Sequence, residues 1–162
     1  MPPIHPETTV GHIHLKVSDL ERSIAFYRDV LGFELQLRYG KQAAFLSAGG
    51  YHHHIGLNTW ESEGAAPGPR RQPGLYHVAF LYPSRHALAV AIQRCMDAGV
   101  VFEGAADHAL SEAIYLSDPD GNGIELYRDR PREEWPRDEN GTYAIVNEPL
   151  DLDGIMATLD TP

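Results

Sequence analysis

"VGHIHLKVSDLERSIAFYRDVLGFEL", residues 10–35, changes its hydrophobic period midway, and that change decides the fold. Val10 to Val17 alternates apolar and polar side chains, the period of a half-buried strand. From Leu20 the apolar residues recur as Leu20, Ile24, Tyr27 and Leu31, the period of a helix. Ser18 with Glu21 three places on reads as a capping box, so the helix is predicted to start there. Gly32 stands where a helix stop is needed. Three strand-like runs follow, "FELQLRY", "QAAFLSA" and "YHHHIGLNTW", with Gly40 and Gly49-Gly50 as turn residues between them. The unit is strand, helix, three strands.

The same unit then occurs again. "GLYHVAFLYP" reads as a strand, and "SRHALAVAIQRCMDAG" as a helix with Leu88, Ile92 and Cys95 on one face and Gly99 as its stop. "VVFEGAAD", "EAIYLSD" and "GIELYRD" are further strands, with "DPDGNG" turning between the last two. The expected organisation is a single domain over 1–162. It comprises a first βαβββ module at 8–60, a Gly- and Pro-rich linker at 61–74, a second module at 75–130 and a tail at 131–162. The fold class is α+β, two modules with pseudo-twofold symmetry and a curved mixed sheet around a metal site.

Composition narrows the function classes. The chain has 162 residues, 43% hydrophobic, enough to bury one compact core. No apolar run approaches the roughly 18 residues of a membrane span. The first residues lack a signal-peptide pattern, and Cys95 is the only cysteine, so a cytoplasmic location is expected. A formal net charge of −10 speaks against nucleic-acid binding through a basic surface. The acidic residues are spread along the chain as solvated surface, whereas nine histidines stand out.

Overlaying the modules places His12 on His77. Gly32 follows the first by 20 residues, and Gly99 follows the second by 22. The last strands place Gly56 opposite Glu125. Symmetry would bring His12, His77 and Glu125 together. Two imidazoles and one carboxylate with open positions is the usual Fe(II) facial triad. His14 shares a face with His12 by parity and is its rival.

"GHIHLKVSDLERSIAFYRDVLGF", "LYHVAF" and "YLSDPDGNGIELY" together resemble the vicinal oxygen chelate superfamily. It includes glyoxalase I, fosfomycin-resistance transferases and extradiol ring-cleaving dioxygenases. The resemblance spans residues 10 to 130. Glyoxalase I places a second glutamate where this chain has Gly56, which cannot ligate, and methylmalonyl-CoA epimerase likewise uses a fourth protein ligand. Fosfomycin-resistance enzymes share the triad but need basic residues, and here only Arg70-Arg71 stands out. The extradiol dioxygenases match further residues: the paired histidines in "HHHIGL", His108 in "DHALSEAIYL", and Tyr115 ten residues before Glu125. The tail "YRDRPREEWPRDENGTY" is similar to the catechol 2,3-dioxygenase branch, whose longer members carry four units to the two here.

That resemblance implies a catechol-type substrate, O2, an Fe(II) cofactor with Mn(II) as the alternative, and a homodimer to complete the pocket. It implies His12, His77 and Glu125 as ligands, and His108 and Tyr115 as donors near the catecholate or oxygen. It names His53 as the acid–base group that completes catechol deprotonation. Strand parity names His54 instead, because His52 and His54 share one face and His53 the other. A bulge would reconcile the two. Trp135 and Tyr143 help close the pocket on the same resemblance. His5 and His86 read as surface, and Cys95 as core. The rivals are a metal-dependent thiol transferase and a non-catalytic module that sequesters a planar ligand.

Overall fold

The computed structural model of the protein describes residues 2–69 and 71–160, so Arg70 of the basic pair lies outside the described residues. The chain forms two compact units, Met1–Pro67 and Gly68–Pro162. Their boundary falls within the segment 61–74.

The first unit runs β1 (Ile13–Lys16), α1 (Leu20–Ala25), β2 (Glu34–Tyr39), β3 (Ala43–Ser47) and β4 (Ile55–Asn58). Its strands form one open sheet in the order β1-β4-β3-β2. The second runs β5 (Val78–Leu81), α2 (Arg85–Asp97), β6 (Gly104–Asp107), β7 (Ser111–Ser117) and β8 (Gly123–Asp129). Its sheet order, β5-β8-β7-β6, is the same permutation. In both, the helix crossover makes the first strand parallel to the fourth, while the hairpins make the rest antiparallel. The fold is α+β, built from two copies of one βαβββ module.

The helix faces are as the periodicity predicts. Leu20, Ile24, Tyr27 and Leu31 are buried in one unit, and Leu88, Ile92 and Cys95 in the other. Burial pushes the Cys95 thiol up to about 11, so it packs as a small apolar residue. Gly32 and Gly99 end the two helices with φ of 90° and 70°, a conformation open to glycine. One cap differs from expectation. The N-cap of α1 is Asp19, whose carboxylate accepts from the Arg22 N–H at 3.0 Å. Ser18 instead accepts a hydrogen bond from the Arg22 guanidinium at 2.8 Å, and Glu21 pairs with Arg38. The helix therefore takes Asp19 rather than Ser18 as its N-cap. After Ala25 the helix widens into a π-helical stretch, Phe26–Val30.

Strands at module starts are shorter than predicted. β1 begins at Ile13 and β5 at Val78, so His12 and His77 each stand one residue before a strand.

Past β8 the tail turns back on the second sheet. A short 3₁₀ turn at Arg132–Glu134 is followed by an isolated pairing of Asp107 with Glu148. Helix α3 (Leu152–Met156) then buries Ile155. Among the described residues, no helix is long and apolar enough to cross a membrane.

Candidate functional site

Register defines which positions of the two modules correspond. In the second unit, Ala79 of β5 pairs with Glu125 of β8, and Tyr115 of β7 pairs with Glu125 on its other side. In the first, His14 pairs with Gly56, and Phe45 pairs with Gly56. The row Ala79–Glu125–Tyr115 is thus the counterpart of His14–Gly56–Phe45. Two residues before Ala79 and His14 stand His77 and His12. Hydrogen-bond register therefore gives His12, not its rival His14, as the counterpart of His77.

The second unit assembles a polar chain. His77 Nε2 lies 3.1 Å from Glu125 Oε2. The other carboxylate oxygen, Oε1, accepts from the Tyr115 hydroxyl at 2.9 Å. Tyr115 Oη is 2.8 Å from His108 Nε2, and His108 Nδ1–H donates to the Val146 carbonyl at 2.9 Å. Burial, then the Glu125 carboxylate, push the Tyr115 phenol well above its ordinary value, so it stays protonated as a donor. A carbonyl only accepts, so Val146 fixes a proton on His108 Nδ1. A neutral His108 then offers Nε2 as an acceptor and competes with Glu125 for the one phenol proton. A protonated His108 donates at both nitrogens and leaves that proton to Glu125.

His108 sits in a tight β6–β7 turn. Ala109 adopts φ 64°, the one non-glycine residue with positive φ among those described. Its N–H is held by Asp107 Oδ1 at 2.8 Å, and Asp107 is itself paired with Arg130. A strained backbone kept in place by several contacts is common at functional sites. The tail completes the clamp through the Asp107–Glu148 and His108–Val146 backbone bonds.

In the first unit the histidine triplet does not lie in a strand. β4 starts at Ile55, and His52 and His54 fall in bends before it. Strand alternation therefore does not apply to the triplet, and the expectation that His52 and His53 take opposite faces is corrected. His52 Nδ1 and His53 Nδ1 approach to 2.7 Å. The His53 ring lies 4.5 Å from His12 and 5.0 Å from Phe45, centre to centre. Partial burial, and then the nearby His12 ring, lower the His53 pKa, which favours its neutral form. His54 goes elsewhere: its ring is 4.8 Å from Tyr51, and its Nδ1 accepts from the Ala48 N–H at 3.3 Å.

The remaining residues are placed as follows. His86 Nδ1 reaches the Thr158 carbonyl at 2.9 Å at the surface. Trp135 donates through Nε1 to the Arg130 carbonyl and stands edge-on to Tyr143 at 5.3 Å, with Arg137 over the Tyr143 ring. Asp118 caps the β7–β8 turn by accepting from the Asp120 and Asn122 N–H groups, each at 2.9 Å.

The donor set of the second unit fits a first-row metal ion. Two donors bound cis to one such ion stand roughly 3 Å apart, which is the spacing of His77 Nε2 and Glu125 Oε2. Tyr115 occupies only the oxygen turned away from His77. Among the described residues, no group of three or more His, Cys, Asp or Glu side chains stands placed to hold a metal ion.

The family model of the Glyoxalase/Bleomycin resistance protein/Dioxygenase superfamily matches residues 9–126. The chain is 41% identical over 157 residues to catechol-2,3-dioxygenase of Bacillus subtilis strain 168, covering 96% of this chain and 54% of that protein. It thus spans about half the length of that relative. It is 34% identical over 145 residues to metallothiol transferase FosB of Staphylococcus epidermidis, covering 87% of this chain and 97% of that protein. Among solved structures, a glyoxylase/bleomycin resistance protein/dioxygenase domain from Frankia sp. EAN1pec superposes with a TM-score of 0.63 at 26% identity, covering 76% of this chain and 98% of that one.

Proposed function

The chain belongs to the glyoxalase/bleomycin resistance protein/dioxygenase superfamily, and from that premise we propose that it cleaves a catechol-type ring beside its two hydroxyls, with O2 as co-substrate. The observation that carries this reading is the chain His77, Glu125, Tyr115, His108. It combines two metal donors with a phenol and an imidazole aimed along one row. The likeness to a catechol-2,3-dioxygenase supports it.

His12, His77 and Glu125 would hold Fe(II), with Mn(II) as the alternative. A ferrous ion would supply the electron transfer from catecholate to O2 that spin conservation makes slow in its absence. Within this reading His53, neutral and beside His12, takes the proton of the second catechol hydroxyl and later returns it. Tyr115 orients Glu125 through Oε1. His108 exchanges the proton at Tyr115 Oη, its tautomer set by Val146. Held by one carboxylate and two neutral imidazoles, a divalent ion would keep net positive charge, which would favour the catecholate form of the substrate. A homodimer would supply the pocket walls that two modules lack, and light scattering checks it: a fully active monomer would remove that part of the proposal.

The test is anaerobic loading with Fe(II), then a catechol panel with O2. A yellow muconic semialdehyde is expected from wild type, with neither product nor stoichiometric iron in Glu125→Ala. Full iron in that variant would overturn the ligand assignment. The second reading is a metal-dependent thiol transfer, favoured by the FosB likeness over nearly that protein's whole length. A thiol adduct of a phosphonate epoxide, with no ring cleavage, would decide for it.

A further inference from the structure

The turn that carries His108 holds a residue in a conformation it resists. Ala109 adopts φ 64°, a left-handed backbone that a Cβ opposes and that glycine would take freely. Asp107 holds it there from across His108. Its Oδ1 accepts the Ala109 N–H, two residues on, at 2.8 Å, which closes an Asx-turn with His108 at the apex. Arg130 fixes both the carboxylate and the far end of the turn. Its guanidinium pairs with Asp107 Oδ2, and its own N–H donates to the Leu110 carbonyl at 2.8 Å. The Asp107 backbone is held separately, by N–H···O bonds exchanged with Glu148 at 2.9 and 3.0 Å. The His108 N–H donates to the Ser111 carbonyl at 2.9 Å. From this fixed backbone one imidazole meets the Val146 carbonyl through Nδ1 at 2.9 Å and the Tyr115 hydroxyl through Nε2 at 2.8 Å. Tyr115 belongs to β7 and Val146 to the tail, so the ring meets both only from a narrow range of placements.

We propose that Asp107 is a positioning residue for His108: its carboxylate, anchored by Arg130, holds Ala109 left-handed and so aims the imidazole at Tyr115. This rests on the reading above, in which His108 exchanges the Tyr115 proton. Asp107 acts through the backbone, not at the reacting atoms. Without its carboxylate, Ala109 relaxes toward negative φ. His108, one residue earlier, turns with the chain and loses one partner or the other. A glycine at position 109 has no reason to relax, because the left-handed conformation costs it little. The need for the Asp107 carboxylate therefore depends on the Ala109 methyl, and a pair of substitutions separates the two.

The experiment compares wild type, Asp107→Ala, Ala109→Gly and the double variant by NMR of the histidine ring nitrogens. It is run without iron or catechol at about pH 8, above the ordinary imidazole pKa. Wild type and Ala109→Gly should show His108 as a single tautomer with its proton on Nδ1. Asp107→Ala should show a mixture of tautomers, and the double variant should return to the single one. Ring cleavage by the iron-loaded proteins should follow the same order. Turnover is expected to fall about tenfold in Asp107→Ala, as the aimed turn loses population to the strain of a left-handed Cβ residue. KM should stay unchanged, and the double variant should recover the loss. A single Nδ1–H tautomer that persists in Asp107→Ala, even with a lower melting temperature, would make Asp107 merely structural and overturn the proposal. A mixture that the double variant does not reverse would overturn it too. If Asp107→Ala does not fold, the double variant decides alone: folded with the wild-type tautomer it supports the proposal, and in any other state it overturns it. A wild type that cleaves no catechol would sink the dioxygenase reading alone, because the tautomer comparison still decides whether Asp107 aims His108.

Discussion

His53 and His54 are adjacent in sequence and part company in space, and that separation is where residue-scale chemistry can be tested. The His53 ring is near His12 and Phe45, while His54 turns to Tyr51 and Ala48. General acid–base groups contribute about 10² to 10⁴ in rate. His53→Phe should lose about that factor in turnover while keeping its iron, because a proton carrier is not a ligand. His54→Phe should lose far less. His52→Phe stands between them, since His52 touches His53 at 2.7 Å and can tune it. Activity lost in His54→Phe and kept in His53→Phe would reverse the assignment. The sequence offered two answers here because parity and motif disagreed. Strand parity does not apply to the triplet, because β4 has four residues and the triplet lies before it.

A close backbone approach lies two positions before the Ala79–Glu125–Tyr115 row, at the scale of the strand. Gly123 opens β8, and a Cβ there would meet the Tyr76 carbonyl oxygen at 2.2 Å and His77 Cβ at 3.1 Å. Backbone cannot yield as a flexible side chain can. The glycine lets the segment before β5 lie against β8, which sets where His77 stands. Gly123→Ala should cost about 1–3 kcal/mol in urea denaturation and weaken Mn(II) binding by moving His77. Gly104→Ala is the control, since its Cβ meets nothing closer than the Tyr115 ring at 3.7 Å. Equal loss in both would mean that strand glycine itself, not the close approach, is responsible. The element order, helix faces and stops were legible because each follows from period and punctuation. The start of α1 was not, because Ser18 and Asp19 both suit an N-cap and only the backbone direction chose. The hold of the tail on His108 was not either, since it runs through backbone groups that carry no sequence signal.

At the scale of the whole second unit, one buried carboxylate ties its elements together. Glu112 of β7 is fully buried and is met by Arg85 of α2 at 2.6 Å, Arg128 of β8 at 2.5 Å and Arg130 at 3.4 Å. Arg85 reaches on to Asp151, the N-cap of α3. Strand parity could have found this cluster, because Glu112 alternates with Ile114 and Leu116 on the buried face and pairs directly with Arg128. Burial pushes the Glu112 carboxyl up, but hydrogen bonds from Arg85 and Arg128 outweigh it and hold the group below its usual range. A group depressed in the folded state contributes stability that is fully present above its unfolded pKa, roughly 4.3. That contribution is lost as pH falls through the folded value. Glu112→Gln removes the charge and leaves three cations facing each other. The expected cost at pH 7 is roughly 3 kcal/mol, at the low end for a broken buried ion pair. It is low because Arg85, Arg128 and Arg130 keep 31%, 14% and 25% of their side-chain surface open to water. Urea denaturation of both proteins from pH 7 down to pH 3 checks the sign. The gap should shrink as wild-type Glu112 takes up its proton. A gap that stays constant over that range, or a loss at pH 7 under about 0.5 kcal/mol, would mean that the cluster is held by packing rather than by its charge.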